Sequence, residues 1–256
     1  MNATQLANYL VKEPARRMIR VYGRSVIMTY LSLYCALSMK GNRDIRLPFH
    51  SLKSPTGDIL TIKIDPRKIE RRCPVRLNET SFFIKSGSWD LVTEQLDSIG
   101  TYSFMRELHQ ELSQGLHYRE TQIYSIFTTK LQMGEPLRGQ GRTLDSMSKI
   151  DHYFQSRVQL MMSMQRVGYM AQSMLGNNGN ELAVAIGRDG DIIKYGDGNH
   201  RCAMARILGL KEIVVAVRRV HRLWVLRCQE EYRASPLNAI VKGLQDLESA
   251  AQVEDA

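Results

Sequence analysis

Six consecutive residues, Gly196-Asp197-Gly198-Asn199-His200-Arg201, gather the chemistry of an anion site just before a helical pattern, CAMARILGL. None of the six is a strong helix former apart from the arginine, so their presence there needs a reason. A strand that ends in glycine and turns into a helix leaves unpaired backbone N–H groups at the helix start. Those groups, with the positive end of the helix dipole, hold anions. Gly196 and Gly198 let the backbone approach with no Cβ in the way. Arg201 adds a forked cation matched to phosphate oxygens. Asn199 and His200 add donors, His200 is also suited to carrying a proton, and Asp197 can ligate a metal ion or accept a proton. The same residue types also build a plain turn and helix cap, because Asp and Asn bond locally to backbone.

Three further groups carry chemistry. Trp89 and Asp90 could line a substrate pocket, the ring stacking and the carboxylate bonding hydroxyls; capping a core and starting the next helix would use them as well. His117 and Glu120 are three apart, so on a helix they share a face and could share a metal or substrate. The methionines Met161, Met162, Met164, Met170 and Met174 in one long helical pattern read as core packing.

The elements that must position these residues follow from periodicity and breakers. The chain to about Lys40 looks helical, and GNRDIRLPFHSLKSPTGD is a breaker-rich loop. ILTIKID is a short β-like run that Pro66 stops, ahead of the basic segment PRKIERRCPVR. FIKSGSWDLVTEQL reads as an extended piece, a turn at 86–88 and a helix. MRELHQELSQG and HYRETQIYSIFTTKLQMG are helical and end at glycine, EPLRGQGRT is a loop, and SKIDHYFQSRVQLMMSMQRVGYMAQSML is a long helix. After the break GNNGN come a strand, ELAVAIG, a hairpin turn, RDGD, and a second strand, IIKYGDG. The helix NHRCAMARILGL and a third strand, KEIVVAVRRVH, follow. SPLNAIVKGLQDLESAAQ is a last helix, capped by Ser235 with Pro236 in its first turn.

With 256 residues the chain can bury a real core, and its net charge of +9 favours a phosphate-bearing partner: nucleotide, nucleic acid or anionic lipid. The four cysteines are scattered, with no spacing that suggests zinc, so free thiols in the cytoplasm are expected. The apolar run Val26–Met39, with Arg16, Arg17, Arg20 and Arg24 ahead of it, is too short to span a membrane. It reads as a buried helix, with surface contact to a membrane through 16–39 as the lesser alternative.

The order strand, GDGNHR, helix with LGL, strand resembles the ParB/sulfiredoxin superfamily. The matching residues are Asp197, Gly198, Asn199, His200, Arg201, Ala205, Leu208, Gly209 and Ile213 to Val217, with ILTIKIDPRKIERR similar to the family's opening strand. The likeness covers about 181–220 and, less strongly, 59–72. SGSWD and LHYRET are also similar to segments of family members encoded with surface-polysaccharide genes. Family activities diverge. Sulfiredoxins place a cysteine where this chain has Asn199, which argues against sulfinic acid reduction, and Cys202 falls one residue past the arginine. ParB proteins bind CTP and read DNA. Free-serine kinases of this fold phosphorylate a small molecule, and their turn looks most like GDGNHR.

An α+β fold with a small mixed sheet is expected, and the helical periodicity adds a large helical insertion and an N-terminal helix. Its segments would be an N-terminal helical part (1–45), the two parts of the core (46–80 and 177–234) around the insertion (81–176), and a C-terminal helix and tail (235–256). The resemblance implies a nucleotide-binding protein that transfers phosphate from ATP or another nucleotide, with Mg2+, to a small-molecule or glycan-precursor hydroxyl. Gly196, Gly198, Asn199, His200, Arg201 and Arg67 would hold phosphates. Asp197, His200 and Glu70 would act in catalysis, with Asp197 on the metal and Glu70 as base. Trp89, Asp90, His117 and Glu120 would meet substrate. The alternative is a ParB-like DNA-binding module, nucleotide-switched.

Overall fold

The computed structural model describes residues 33–39, 44–48, 53–54, 57–58, 60–74, 81–135, 137–139, 142–172, 174–175 and 181–253. GNNGN and most of the 16–39 segment lie outside the described residues. Residues 33–39 are helical (α1), with Cys35 and Met39 buried and Leu33 and Leu37 exposed. Among the described residues no helix is long and apolar enough to cross a membrane.

The fold is α+β. Its centre is β12 (Ile213–His221), which opens with five β-branched or alanine residues and is buried almost throughout, as a central strand requires. One edge of β12 pairs in parallel with β10 (Leu182–Ile186). Its other edge pairs first with β4 (Thr61–Ile64), antiparallel, and then with β6 (Ser81–Lys85), parallel. Beyond β6 lies β1 (Ile45–Pro48). Beyond β10 come β11 (Ile192–Lys194), β5 (Arg71–Arg72) and β7 (Glu94–Gln95), completing a mixed sheet of eight strands. Two small hairpins stand apart, β2 (Lys53–Ser54) with β3 (Gly57–Asp58) and β8 (Leu137–Gly139) with β9 (Arg142–Leu144). The second replaces the loop expected at EPLRGQGRT.

Three helices lie between β7 and β10 in sequence: α2 (Gly100–Ser113), α3 (Gln122–Gln132) and α4 (Met147–Val167). In α4, Ile150, Tyr153, Phe154, Arg157, Met161 and Met164 are buried at three- and four-residue spacing. The helix opens with the Ser146 hydroxyl accepting from Lys149 N–H and ends at Gly168, whose φ of 76° no β-branched residue tolerates. That glycine stops the pattern eight residues short of Gly176, and it leaves Met174 exposed, as Met162 is on the outer face, so the methionine stripe is only partly core. Aromatic rings knit the segment: Phe104 lies 5.5 Å from Tyr153 and from Phe154, and 5.7 Å from Phe127.

The helix expected after Trp89 forms only from Gly100; residues 94–98 give β7 and a 3₁₀ turn instead. The second core segment holds α5 (Asn199–Ile207), α6 (Arg222–Tyr232) and α7 (Pro236–Val253). The expected third strand ends at His221 as β12 does, whereas α6 has no counterpart among the expected elements.

Candidate functional site

Because β11 runs antiparallel to β10 and β12 runs parallel to it, the chain leaves and re-enters the sheet at one end, and the Gly196–Arg201 turn sits there. Tyr195 N–H bonds Ala183 C=O, and Ala183 N–H bonds Asp197 C=O, so the turn is tied to the start of β10. Gly198 has φ 90°, and a Cβ there would come within 2.9 Å of Leu182 Cα, so the position needs glycine on two counts. Gly198 is the N-cap of α5 and, as glycine, has no side chain with which to cap it. The first turn of α5 thus lacks the acceptor that Ser, Thr, Asp or Asn at the N-cap would supply.

Lys194 supplies what the sequence pattern concealed. It is fully buried, and its ammonium donates to the carbonyls of Tyr195 at 3.3 Å, Gly196 at 3.0 Å and Asp197 at 2.6 Å. Three successive carbonyls are thus turned toward one cation inside the fold. Burial pulls the Lys194 pKa down to about 8, with Cys202 and Asp197 working against that shift. Only an ionised or strongly bonded lysine repays such burial, so the turn's shape is set from beneath by a positive charge.

The expected anion ligands divide. Asn199 is half-buried at the first helical position, and Asp197 is exposed. Among the described residues no three of His, Cys, Asp or Glu gather into a metal site. A Mg2+ held by a single carboxylate and completed by phosphate oxygens and water is the arrangement open to Asp197.

His200 is not a phosphate cation. Its Nε2 lies 3.0 Å from the Tyr153 hydroxyl and its ring meets Phe104 edge-on. Burial first, then the Arg157 charge, push its pKa down to about 4, so the imidazole is neutral near pH 7. Arg201 has found an internal acid: its Nη1 is 3.9 Å from the Glu181 carboxylate and 3.4 Å from the Tyr169 hydroxyl. Glu181 is itself held by Gln172 N–H and by the Tyr169 hydroxyl, so α4 and the chain after it line the first turn of α5.

The remaining expected residues are not at the turn. β5 pairs in parallel with β11, with Arg71 opposite Ile193, so Glu70 lies level with Ile192. That is four residues short of Gly196, or about 13 Å along the strand, too far for Glu70 to serve as base there. Arg67 is folded back on Asp65, with its Nε 2.7 Å from the carboxylate, and the 3₁₀ turn at Pro66–Lys68 is gripped by Arg206 in the last turn of α5.

Trp89 packs with Ala185, Ile193 and Tyr195, the sheet face opposite the one bearing Val184 and Lys194. There the Arg219 guanidinium lies 5.0 Å over the Trp89 ring and 4.6 Å over the Tyr195 ring. Asp90 is buried beneath it. Burial raises the Asp90 pKa, but hydrogen bonds from Arg188 side chain and backbone outweigh burial and hold it down to about 2. His117 and Glu120 form a reciprocal cap: the imidazole accepts from Arg119 N–H and the Glu120 carboxylate accepts from His117 N–H. Their spacing is explained by that 3₁₀ turn. Cys202 is fully buried, and burial pushes its thiol pKa up, which removes it as a nucleophile.

No protein-family model, curated protein or solved structure matches the chain. The turn has to speak through its own chemistry.

Proposed function

We propose that this protein binds a nucleotide through its phosphates at the start of α5 and transfers phosphate, with Mg2+, to a hydroxyl of a small molecule or glycan precursor. One observation carries the reading: Lys194 holds three successive carbonyls of the turn inward, directly ahead of a helix start with no side-chain cap. A buried cation under a glycine-rich turn and an uncapped helix N-terminus both favour an anion in front of it. The ParB/sulfiredoxin likeness of GDGNHR supports the choice of phosphate, and within that likeness the kinase branch.

The roles follow from position. The amides of Asn199 and His200 would meet phosphate oxygens, with Gly196 and Gly198 allowing the approach. Arg201 would add one donor while staying anchored to Glu181. Asp197, exposed on the turn, would hold Mg2+, which supplies charge neutralisation across the phosphates. Neutral His200 would act as a hydrogen-bonding group, not a counter-ion. No base is assigned to the acceptor hydroxyl, because Glu70 lies too far along β5. The four cysteines are buried and unpaired, which fits a reducing compartment such as the cytoplasm.

The DNA-binding alternative draws less support. The cations on α2, α3 and α4 are Arg106, Lys130, Lys149, Arg157 and Arg166. Arg157 is buried and Lys149 is paired with Asp145, so they form no basic stripe for a duplex.

Calorimetric titration with ATP, ADP, CTP and GTP, each with Mg2+, tests the reading. Binding of at least one is expected, weakened when Mg2+ is withdrawn. Binding of none would overturn it. Asp197→Asn, at an exposed position, is expected to abolish the Mg2+ dependence of nucleotide binding while the protein stays folded.

A further inference from the structure

The roles above leave Arg157 on α4 unexplained. Its relative exposure is 4%, yet among the described residues no carboxylate pairs with it, and its Nε and Nη2 have no hydrogen-bond partner. Only Nη1 is satisfied, by the Ser156 hydroxyl at 3.3 Å. The guanidinium lies 4.7 Å over the Tyr153 ring, and the Tyr153 hydroxyl bonds His200 in the first turn of α5. Tyr153 and Arg157 are one helical turn apart on α4, on the face that meets α5, and the Arg157 charge is felt at His200.

A buried cation stripped of water without an acid is a costly arrangement, and native folds keep one where an outside anion completes it. The first turn of α5, whose glycine N-cap offers no side-chain acceptor, is reached from Arg157 through the Tyr153–His200 contact. We infer that Arg157 is a second anion-binding residue of this site, engaging the phosphoryl group next to the one held by the α5 amides, so that the site selects di- and triphosphates over monophosphates. The inference rests on the reading of the turn as a phosphate site. The unpaired nitrogens are not solvent-exposed in this state, so the incoming phosphate draws the guanidinium off the Tyr153 ring by side-chain rotation.

The experiment compares inorganic phosphate, pyrophosphate, AMP and ATP by calorimetry and thermal shift, on the full chain and on Arg157→Met and Arg157→Lys. For the unsubstituted chain, pyrophosphate and ATP are expected to bind more tightly than phosphate and AMP. In Arg157→Met that preference is expected to fall about tenfold, the loss of one charge-assisted contact. Phosphate binding itself should persist, and the melting temperature without ligand should be equal or higher, since a buried unpaired charge is gone. Arg157→Lys should keep part of the preference.

A preference that survives in Arg157→Met would overturn the inference while leaving the phosphate site standing. A lower melting temperature or loss of folding in Arg157→Met would mark the residue as structural and overturn it as well. If the unsubstituted chain binds none of the four compounds, the phosphate reading of the turn fails, and the inference with it.

Discussion

At the scale of single residues, the charged groups that matter most are those the fold hides. Lys194 has an aliphatic stem in a β-strand and a head that three carbonyls satisfy. Replacing it with methionine strands those carbonyls, and Lys194→Met is expected to destabilise the protein by about 3 kcal/mol or more in urea unfolding. A loss under about 1 kcal/mol would mean that the turn holds its shape without the ammonium. His200 gives the pH signature. Its folded pKa of about 4 is below the unfolded value of 6.5, so between those limits the unfolded chain takes up a proton that the folded one refuses. Stability is therefore full above about pH 6.5 and falls as pH drops toward 4, by up to about 1.4 kcal/mol per unit. In His200→Gln that slope should flatten. Neither Lys194 nor Arg157 could be recognised in the sequence, because a lysine ending a strand and an arginine inside an amphipathic helix are both ordinary surface patterns.

Between residue and fold stand the elements, and here the legible and illegible parts separate for physical reasons. The β10–β11 hairpin, the GDG turn, α5 and β12 follow from alternation, glycine punctuation and a helical repeat that all agree. By contrast, β12 passes into α6 with no glycine or proline between them. The stop is made by His221, whose ring accepts from Leu223 N–H while its other nitrogen meets Gly87 C=O, a long-range cap that no local pattern announces. The His117–Glu120 spacing misled for the opposite reason: three residues apart is the span of a capping box as well as of a helical face. Two glycines test the packing of elements. Gly198→Ala puts a Cβ at φ 90° within 2.9 Å of Leu182 backbone and should cost about 2 kcal/mol or more. Gly243→Ala, inside α7, gains about 1 kcal/mol of helix propensity. Its Cβ would stand 2.7 Å from Cys228 Sγ and 2.9 Å from the Trp224 ring, so overpacking should win and the net change should be destabilising. A more stable Gly243→Ala variant would show that α6 and α7 separate at little cost.

Over the whole molecule, the net charge of +9 is what remains after each acid is set against a base. Arg71 pairs with Asp191, Arg72 with Glu94, Arg188 with Asp90 and Arg119 with Asp151, so these four cations are already engaged by acids. Such a surface should bind a DNA duplex without the steep salt dependence of a dedicated reader, and anisotropy measurements from 50 to about 200 mM salt should show a shallow log–log slope. The α2–α4 segment presses Tyr153 and Arg157 toward α5 from one side, and Lys194 holds the turn from the sheet. The most direct measurement is therefore the backbone amide NMR spectrum of the protein titrated with ATP and Mg2+. The largest shifts are expected at Gly198, Asn199, His200 and Arg201. Shifts that centre anywhere else, or an unchanged spectrum at millimolar nucleotide, would contradict an anion site at the start of α5.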